Sequence, residues 1–293
     1  MKKIWLSPPH MSGNELKYIH AAFDNNWIAP VGENVDEFEN SLRRYLDIPY
    51  VTALNSGTAA LHLALINLGI KAGDEVIVSA FTFVASVNPI IYQSAVPIFV
   101  DSEPETWNMD PELLEAAIKD RLKKGKKPGA IILVHLYGMP AKMREILAIS
   151  SRYDIPIIED AAESLGSKYE GQHLGTFGEM GVLSFNGNKI ITTSGGGALI
   201  SNYEKHAKDA LFLATQAKDE FAHYEHSSVG YNYRMTTMQA AIGLKMMDRI
   251  DDYIKQRREN AAYLTEKLNK IDGFIPMHEP SDCKNTYYLY CLF

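Results

Sequence analysis

The chain has 293 residues, 46% of them hydrophobic and 22% charged, with a formal net charge of -7 from 36 acidic and 29 basic residues. That mixture suits one large globular core with a smaller second unit, and its acidic balance gives no support to nucleic-acid binding. The two cysteines, Cys283 and Cys291, are too few for a disulfide framework, and no apolar run approaches the roughly 20 residues of a membrane span, so a soluble protein of the reducing cytoplasm is expected.

The first nine residues, Met1-Lys-Lys-Ile-Trp-Leu-Ser-Pro-Pro9, carry the positive charge of a signal peptide without its apolar stretch. Short Ile- and Val-rich runs then predict strands at Tyr50 to Leu54, Glu75 to Val78, Pro97 to Val100, Ala130 to Val134 and Pro156 to Glu159. Helical spacing separates them, as in Leu61, Leu65 and Leu68, or in Leu113, Leu114, Ala117, Ile118 and Leu122. Strands alternating with helices predict an α/β fold with a mostly parallel sheet covered on both faces. The basic cluster Arg121-Leu-Lys-Lys-Gly-Lys-Lys127 reads as a solvated loop.

Beyond residue 160 the rhythm changes. Ser167-Lys-Tyr-Glu-Gly-Gln-His173 reads as a hairpin turning at Glu170-Gly171. Strands at Gly181 to Phe185 and Gly197 to Ser201 flank a polar loop. An amphipathic pattern runs from Thr237 to about Ile271 as one long bridge, and Asn285-Thr-Tyr-Tyr-Leu-Tyr-Cys-Leu-Phe293 has the form of a strand cut off inside itself. Residues 1–250 are expected to form a large domain with an N-terminal arm, and residues 251–293 the start of a smaller, truncated one.

Four segments could carry chemistry. Asn55-Ser-Gly-Thr-Ala-Ala-Leu61 leaves a strand and opens a helix, so its free N–H groups form either an ordinary capped turn or an anion cradle. In Ile157-Ile-Glu-Asp-Ala-Ala-Glu163, Asp160 ends a strand, where ligands of open α/β sheets bind. Its carboxylate suits a helix cap, a metal ligand or a partner for a cationic ring nitrogen. Lys189 lies in a loop of Asn and Gly between strands, a better position for Schiff-base chemistry than a helix face. Phe81-Thr-Phe83 follows a strand and suits either core packing or a stacked cofactor ring. Together these are the parts of a pyridoxal-phosphate site: a phosphate cradle, a ring sandwich, an acid for the pyridine nitrogen and a lysine for the aldehyde.

At these residues the sequence resembles the DegT/DnrJ/EryC1/StrS family of sugar aminotransferases. The ordered set Asn26-Trp-Ile-Ala-Pro-Val-Gly32, Asn55-Ser-Gly-Thr58, Phe81-Thr-Phe83, Glu159-Asp-Ala-Ala-Glu-Ser164, Ser184-Phe-Asn-Gly-Asn-Lys189 and Gly230-Tyr-Asn-Tyr-Arg-Met235 carries the likeness. It implies the fold-type I aminotransferase architecture with a small C-terminal α/β domain, and pyridoxal 5'-phosphate as cofactor. By the same resemblance Lys189 holds the cofactor, Asp160 pairs with its pyridine nitrogen, and Gly57, Thr58 and Ser184 hold its phosphate. Phe83 and Ala162 then cover the two ring faces, and Glu163 stands near the cofactor hydroxyl. Asn232 is expected to reach the phosphate of a neighbouring subunit, which makes the active unit a homodimer.

Ser7-Pro-Pro-His-Met11, Ser194-Gly-Gly-Gly197 and His223-Tyr-Glu-His226 are similar to the branch that aminates UDP-linked 4-keto-6-deoxy-N-acetylglucosamine on the way to bacillosamine. The branch implies glutamate as amino donor and His10, Asn188, His223 and His226 as contacts of the nucleotide sugar. Two other readings compete. Related sugar dehydratases have a histidine at the place of Lys189, and a non-catalytic relative would have no need to keep both Lys189 and Asp160.

Overall fold

The computed structural model describes residue 3 and residues 5–292. Ten strands occur among them: β1 (Tyr50–Leu54), β2 (Glu75–Ser79), β3 (Val96–Val100), β4 (Ala130–Val134), β5 (Ile157–Asp160), β6 (Lys168–Tyr169), β7 (Gln172–His173), β8 (Met180–Ser184), β9 (Gly197–Ser201) and β10 (Cys283–Lys284). The helices are α1 (Glu15–Asp24), α2 (Glu33–Leu46), α3 (Gly57–Asn67), α4 (Asn88–Tyr92), α5 (Pro111–Lys123), α6 (Met143–Tyr153), α7 (Glu204–Ala214), α8 (Thr237–Met247) and α9 (Ile250–Leu268).

Seven strands make one sheet in the order β1-β9-β8-β5-β4-β2-β3. From β8 to β3 every neighbouring pair is parallel, while β9 runs antiparallel to both β1 and β8. This is the α/β architecture that the alternating pattern predicts. The two-residue period of the strands sorts their side chains to opposite faces. Val76, Val78, Ile132, Ile158, Val182 and Leu199 face α3 and α7. Ile77, Ile131, Leu133 and Ile157 pack on α5 and α6, and Ala53, Leu183, Ala198 and Ile200 on α2 and α8. With both faces covered, the central strands need continuous apolar runs, and β4 is buried along its whole length.

The predicted strands through Ser201 appear within a residue or so of their expected limits. The expected hairpin is β6–β7, joined at Glu170 and Gly171, both in the left-handed region at φ 48° and 84°. Two positive φ values at the turn match the right-handed twist of the flanking strands. No helix among the described residues is long and apolar enough to cross a membrane.

Three expectations are corrected. The pattern from Thr237 to Ile271 is two helices. The helix α8 starts from a capping box between Thr236 and Gln239 and buries Ala240, Ala241 and Met246. The chain breaks at Asp248-Arg249, where Lys245 pairs with Asp248 and Arg249 with Asp252, and α9 starts afresh at Ile250. Residues 285–292 are not a strand: Tyr287 sits at φ 50°, where a β ladder cannot continue, and only Leu292 bridges to Pro276. Phe293 lies outside the described residues, as do Met1, Lys2 and Ile4 of the N-terminal stretch. Finally, Arg121 is not a solvated loop charge. It donates two bonds of 2.7 and 2.5 Å to the buried Glu75, and this guanidinium holds the Glu75 carboxyl below the usual carboxylate range.

His173, in β7, has a buried Nδ1 without a hydrogen-bond partner and packs against Tyr45 at 5.0 Å. Burial, reinforced by Lys168 and Lys284, pushes its pKa down to about 4. The folded protein therefore resists a proton that the unfolded chain accepts near pH 6.5. Stability should be full above pH 6.5 and fall by up to roughly 3 kcal/mol as the pH drops towards 4. Denaturation of His173→Gln across that range should show a flatter profile, and an unchanged slope would assign the acid sensitivity elsewhere.

Candidate active site

The parallel strands β1, β2, β4, β5 and β8 end at one edge of the sheet, and a cavity of about 330 Å³ opens there. Its first wall is the β1–α3 junction. Ser56 caps α3, its side chain accepting from the Ala59 N–H at 3.0 Å. The Gly57 and Thr58 N–H groups belong to the first turn and have no partner within the helix, the condition for binding an anion at a helix N-terminus. The close fit of this turn against the sheet explains two glycines. A Cβ on Gly57 would come within 3.1 Å of Ser184 Cβ, and one on Gly197 within 2.4 Å of the Gly57 nitrogen. Any larger residue at 197 would push the turn off β9.

Asp160 ends β5 and is 6% exposed. Its Oδ2 accepts from the Ser86 hydroxyl at 2.6 Å and its Oδ1 from the Ala162 N–H at 3.2 Å. No cation pairs with it among the described residues, an unusual state for a buried carboxylate. Opposite charge is supplied elsewhere: Lys189 Nζ lies 3.2 Å from Glu163 Oε1, with the two side chains only 11% and 16% exposed. Glu163 is held in turn by the Tyr137 N–H at 2.8 Å.

Residues 287–291 close the Lys189 corner. The Tyr288 ring lies 4.7 Å from Lys189 Nζ, and its hydroxyl accepts from Asn188 Nδ2 at 2.7 Å. Burial and the nearby Glu163 push the Tyr288 hydroxyl up to about 12 and the Cys291 thiol up to about 11, so both stay protonated near neutrality. Arg257 of α9 fixes this segment through the Tyr288 carbonyl at 2.8 Å.

Gly57, Thr58, Phe83, Asp160, Ala162, Glu163, Ser184, Asn188 and Lys189, all singled out in the sequence, line this one cavity. Four others do not. Asn232 is exposed, its backbone carbonyl accepting from Asn55 Nδ2 at 3.1 Å. His10 packs edge-on against Tyr253, and His223 stacks on Phe221 beside Glu225. His226 Nδ1 lies 2.9 Å from the Gln216 carbonyl and holds a loop closed. Sequence reasoning missed Ser86, Thr82 and Tyr288. Thr82 is the middle residue of Phe81-Thr-Phe83 and Ser86 lies three residues past it, and the aromatic run Tyr287-Tyr-Leu-Tyr290 was a readable signal for the third.

These residues fit pyridoxal phosphate. Phosphate suits the unpartnered N–H groups at Gly57 and Thr58, a protonated ring nitrogen suits the unpaired Asp160, and an aldehyde suits the Lys189 amine. Phe83, 71% exposed, offers an aromatic face at the cavity. Fold and cavity thus define an α/β protein with a largely buried lysine in a cavity at the carboxyl edge of its sheet. The chain belongs to the DegT/DnrJ/EryC1/StrS aminotransferase family, whose model matches residues 9–293. It is 50% identical over 277 residues to EpsN of Bacillus subtilis (strain 168), by its name a pyridoxal phosphate-dependent aminotransferase, covering 94% of this chain and 71% of EpsN. Identity is 40% over 290 residues to a GDP-perosamine synthase of Escherichia coli O157:H7, covering 99% of this chain and 77% of that protein. A DegT/DnrJ/EryC1/StrS aminotransferase from Brucella abortus superposes with a TM-score of 0.91 at 33% identity, covering 95% of this chain and 74% of the other. The protein is a sugar aminotransferase that depends on pyridoxal phosphate.

Proposed function

We propose that the enzyme transfers an amino group from glutamate to C4 of a nucleotide-linked 4-keto-6-deoxy sugar, with UDP-2-acetamido-2,6-dideoxy-hexos-4-ulose as acceptor. The observation that supports the chemistry best is the convergence of Lys189, Asp160 and the Gly57-Thr58 turn on one cavity. Pyridoxal phosphate, when bound, supplies an electron sink and a carrier for the amino group. Lys189 holds it and, once released, moves a proton between substrate and cofactor carbons through Nζ. Asp160 holds a proton on the ring nitrogen, while Gly57, Thr58 and Ser184 anchor the phosphate. Phe83 and Ala162 enclose the ring, Glu163 stands by its hydroxyl and Asn188 contacts the sugar. Lys189 also argues against the dehydratase reading.

The same proposal includes a cytoplasmic homodimer. Its support is that Asn232 is exposed and outside this chain's own cavity, as a residue that serves a neighbouring subunit's phosphate would be. His10, His223 and His226 also lie outside that cavity, and their contact with the nucleotide sugar rests on the resemblance alone. The likeness to a GDP-perosamine synthase favours a second acceptor, a GDP-linked 4-keto sugar. Glutamate should bleach the visible band of the reconstituted enzyme. The band should return on adding the UDP-linked keto sugar; return only with the GDP-linked one would replace the acceptor, and no bleaching by glutamate would remove the donor.

A further inference from the structure

Asp160 does not stand alone. Its Oδ2 has one donor among the described residues, the hydroxyl of Ser86, which is 1% exposed. Ser86 Oγ lies 2.6 Å from Thr82 Oγ1 as well, and Thr82 lines the cavity. The proton order in this chain follows from valence. A carboxylate accepts, so Ser86 donates its single hydrogen to Asp160, and Thr82 then donates to Ser86 at 2.6 Å in preference to the Phe83 carbonyl, which lies 3.4 Å from its hydroxyl. Thr82 is left with acceptor lone pairs for whatever enters the cavity. Linked hydroxyls polarise one another, so each strengthens the next bond.

Backbone geometry ties this relay to a second function. Ser86 ends a short 3₁₀ turn after β2, in which the Ser86 N–H donates to the Phe83 carbonyl at 3.0 Å. The turn that carries the exposed Phe83 ring is therefore fastened to the end of β5 by the Ser86–Asp160 bond. Two strands that are not neighbours in the sheet, β2 and β5, are joined across the intervening β4.

We propose that Ser86, backed by Thr82, is a positioning residue for the cofactor ring: it orients the Asp160 carboxylate towards the pyridine nitrogen and pins the Phe83 turn beside it. The inference rests on the assignment of Asp160 to that nitrogen. With Oδ2 engaged by Ser86, Oδ1 keeps only the longer Ala162 bond and so retains accepting capacity for a ring N–H. Loss of the Ser86 hydroxyl leaves a buried carboxylate oxygen without a donor, and Asp160 can then turn from the ring to find one.

The test compares binding of pyridoxal phosphate with binding of its analogue that has carbon in place of the ring nitrogen. Dissociation constants would be measured on the cofactor-free protein for wild type, Ser86→Ala, Thr82→Val and Asp160→Asn. Loosening of the Phe83 turn weakens both ligands alike, whereas loss of the Asp160 orientation weakens only the natural cofactor, so Ser86→Ala should weaken the natural cofactor roughly tenfold more than the analogue. Thr82→Val should act in the same direction, by roughly threefold. Equal weakening of both ligands by Ser86→Ala, or none, would reduce Ser86 to a packing residue and overturn the inference. If Ser86→Ala does not fold, Thr82→Val decides by the same criterion. Asp160→Asn separates the two levels: equal weakening of both ligands there overturns the Asp160 assignment itself, whereas discrimination by Asp160→Asn without discrimination by Ser86→Ala overturns only the role of Ser86.

Discussion

Lys189→Ala is expected to abolish the visible band of the reconstituted enzyme and to lower the transamination rate by a factor of roughly 10³ or more. Two losses combine. The amine that holds the cofactor disappears, and with it the group that moves the proton, which alone is worth about 10²–10⁴ in rate. No other lysine lines the cavity among the described residues. Lys189→Arg keeps a cation for Glu163, which lies 3.2 Å from Nζ, yet it should fail equally, because a guanidinium neither forms the covalent link nor gives up its proton. Neither variant should unfold. An enzyme that keeps more than a few per cent of its rate in Lys189→Ala would remove this lysine from the reaction.

The largest effect on stability is expected at Arg234→Met. Arg234 Nη1 donates to Glu39 Oε1 at 2.5 Å and to the Ala53 carbonyl at 2.9 Å, and the Ala53 N–H donates to the same Glu39 oxygen at 2.7 Å. Arg234 is 9% exposed and Glu39 7%. Removing Glu39 leaves the Arg234 charge buried without a carboxylate among the described residues, and removing Arg234 leaves Glu39 only the longer ion pair to Arg43 at 3.6 Å. Breaking such a pair costs up to roughly 3–5 kcal/mol, whereas replacing both partners by apolar side chains costs much less. Urea denaturation of Arg234→Met, Glu39→Met and the double variant should therefore be far from additive. Additive losses would show that the two groups do not act as a pair. The site should suffer as well, since Ala53 is on β1 and Asn55, next to the Gly57-Thr58 turn, donates its N–H to the carbonyl of Tyr233, the neighbour of Arg234, at 2.8 Å.

Much of the architecture was legible along the chain because parallel strands buried on both faces must be continuous apolar runs. The hairpin at Glu170-Gly171 was legible for a similar reason, since few residue pairs accept two positive φ values in succession. Periodicity failed where it met a local break. The pattern of α8 and α9 is continuous in apolar spacing, and the short-range ion pairs at Lys245, Asp248, Arg249 and Asp252 accompany the break. The aromatic run at Tyr287-Tyr-Leu-Tyr290 has strand composition, but Arg257 and the Lys189 corner hold it in a loop.

The candidate site shows the same division. Residue types and their order were enough to select Lys189, Asp160, Phe83 and the Gly57-Thr58 turn, because each kind of chemistry needs a particular functional group at the end of a strand or the start of a helix. Tertiary structure alone decided which groups meet. It brought Tyr288 over Lys189, gave Asp160 the Ser86 hydroxyl in place of a cation, and left Asn232, His10, His223 and His226 outside the cavity. The physical reason is that composition and spacing act along the chain, whereas a carboxylate's partners are set by strand order and by turns distant in sequence. In this sheet β5 lies between β8 and β4, with β2 beyond β4, and that order places Asp160 between the lysine loop and the Phe83 turn.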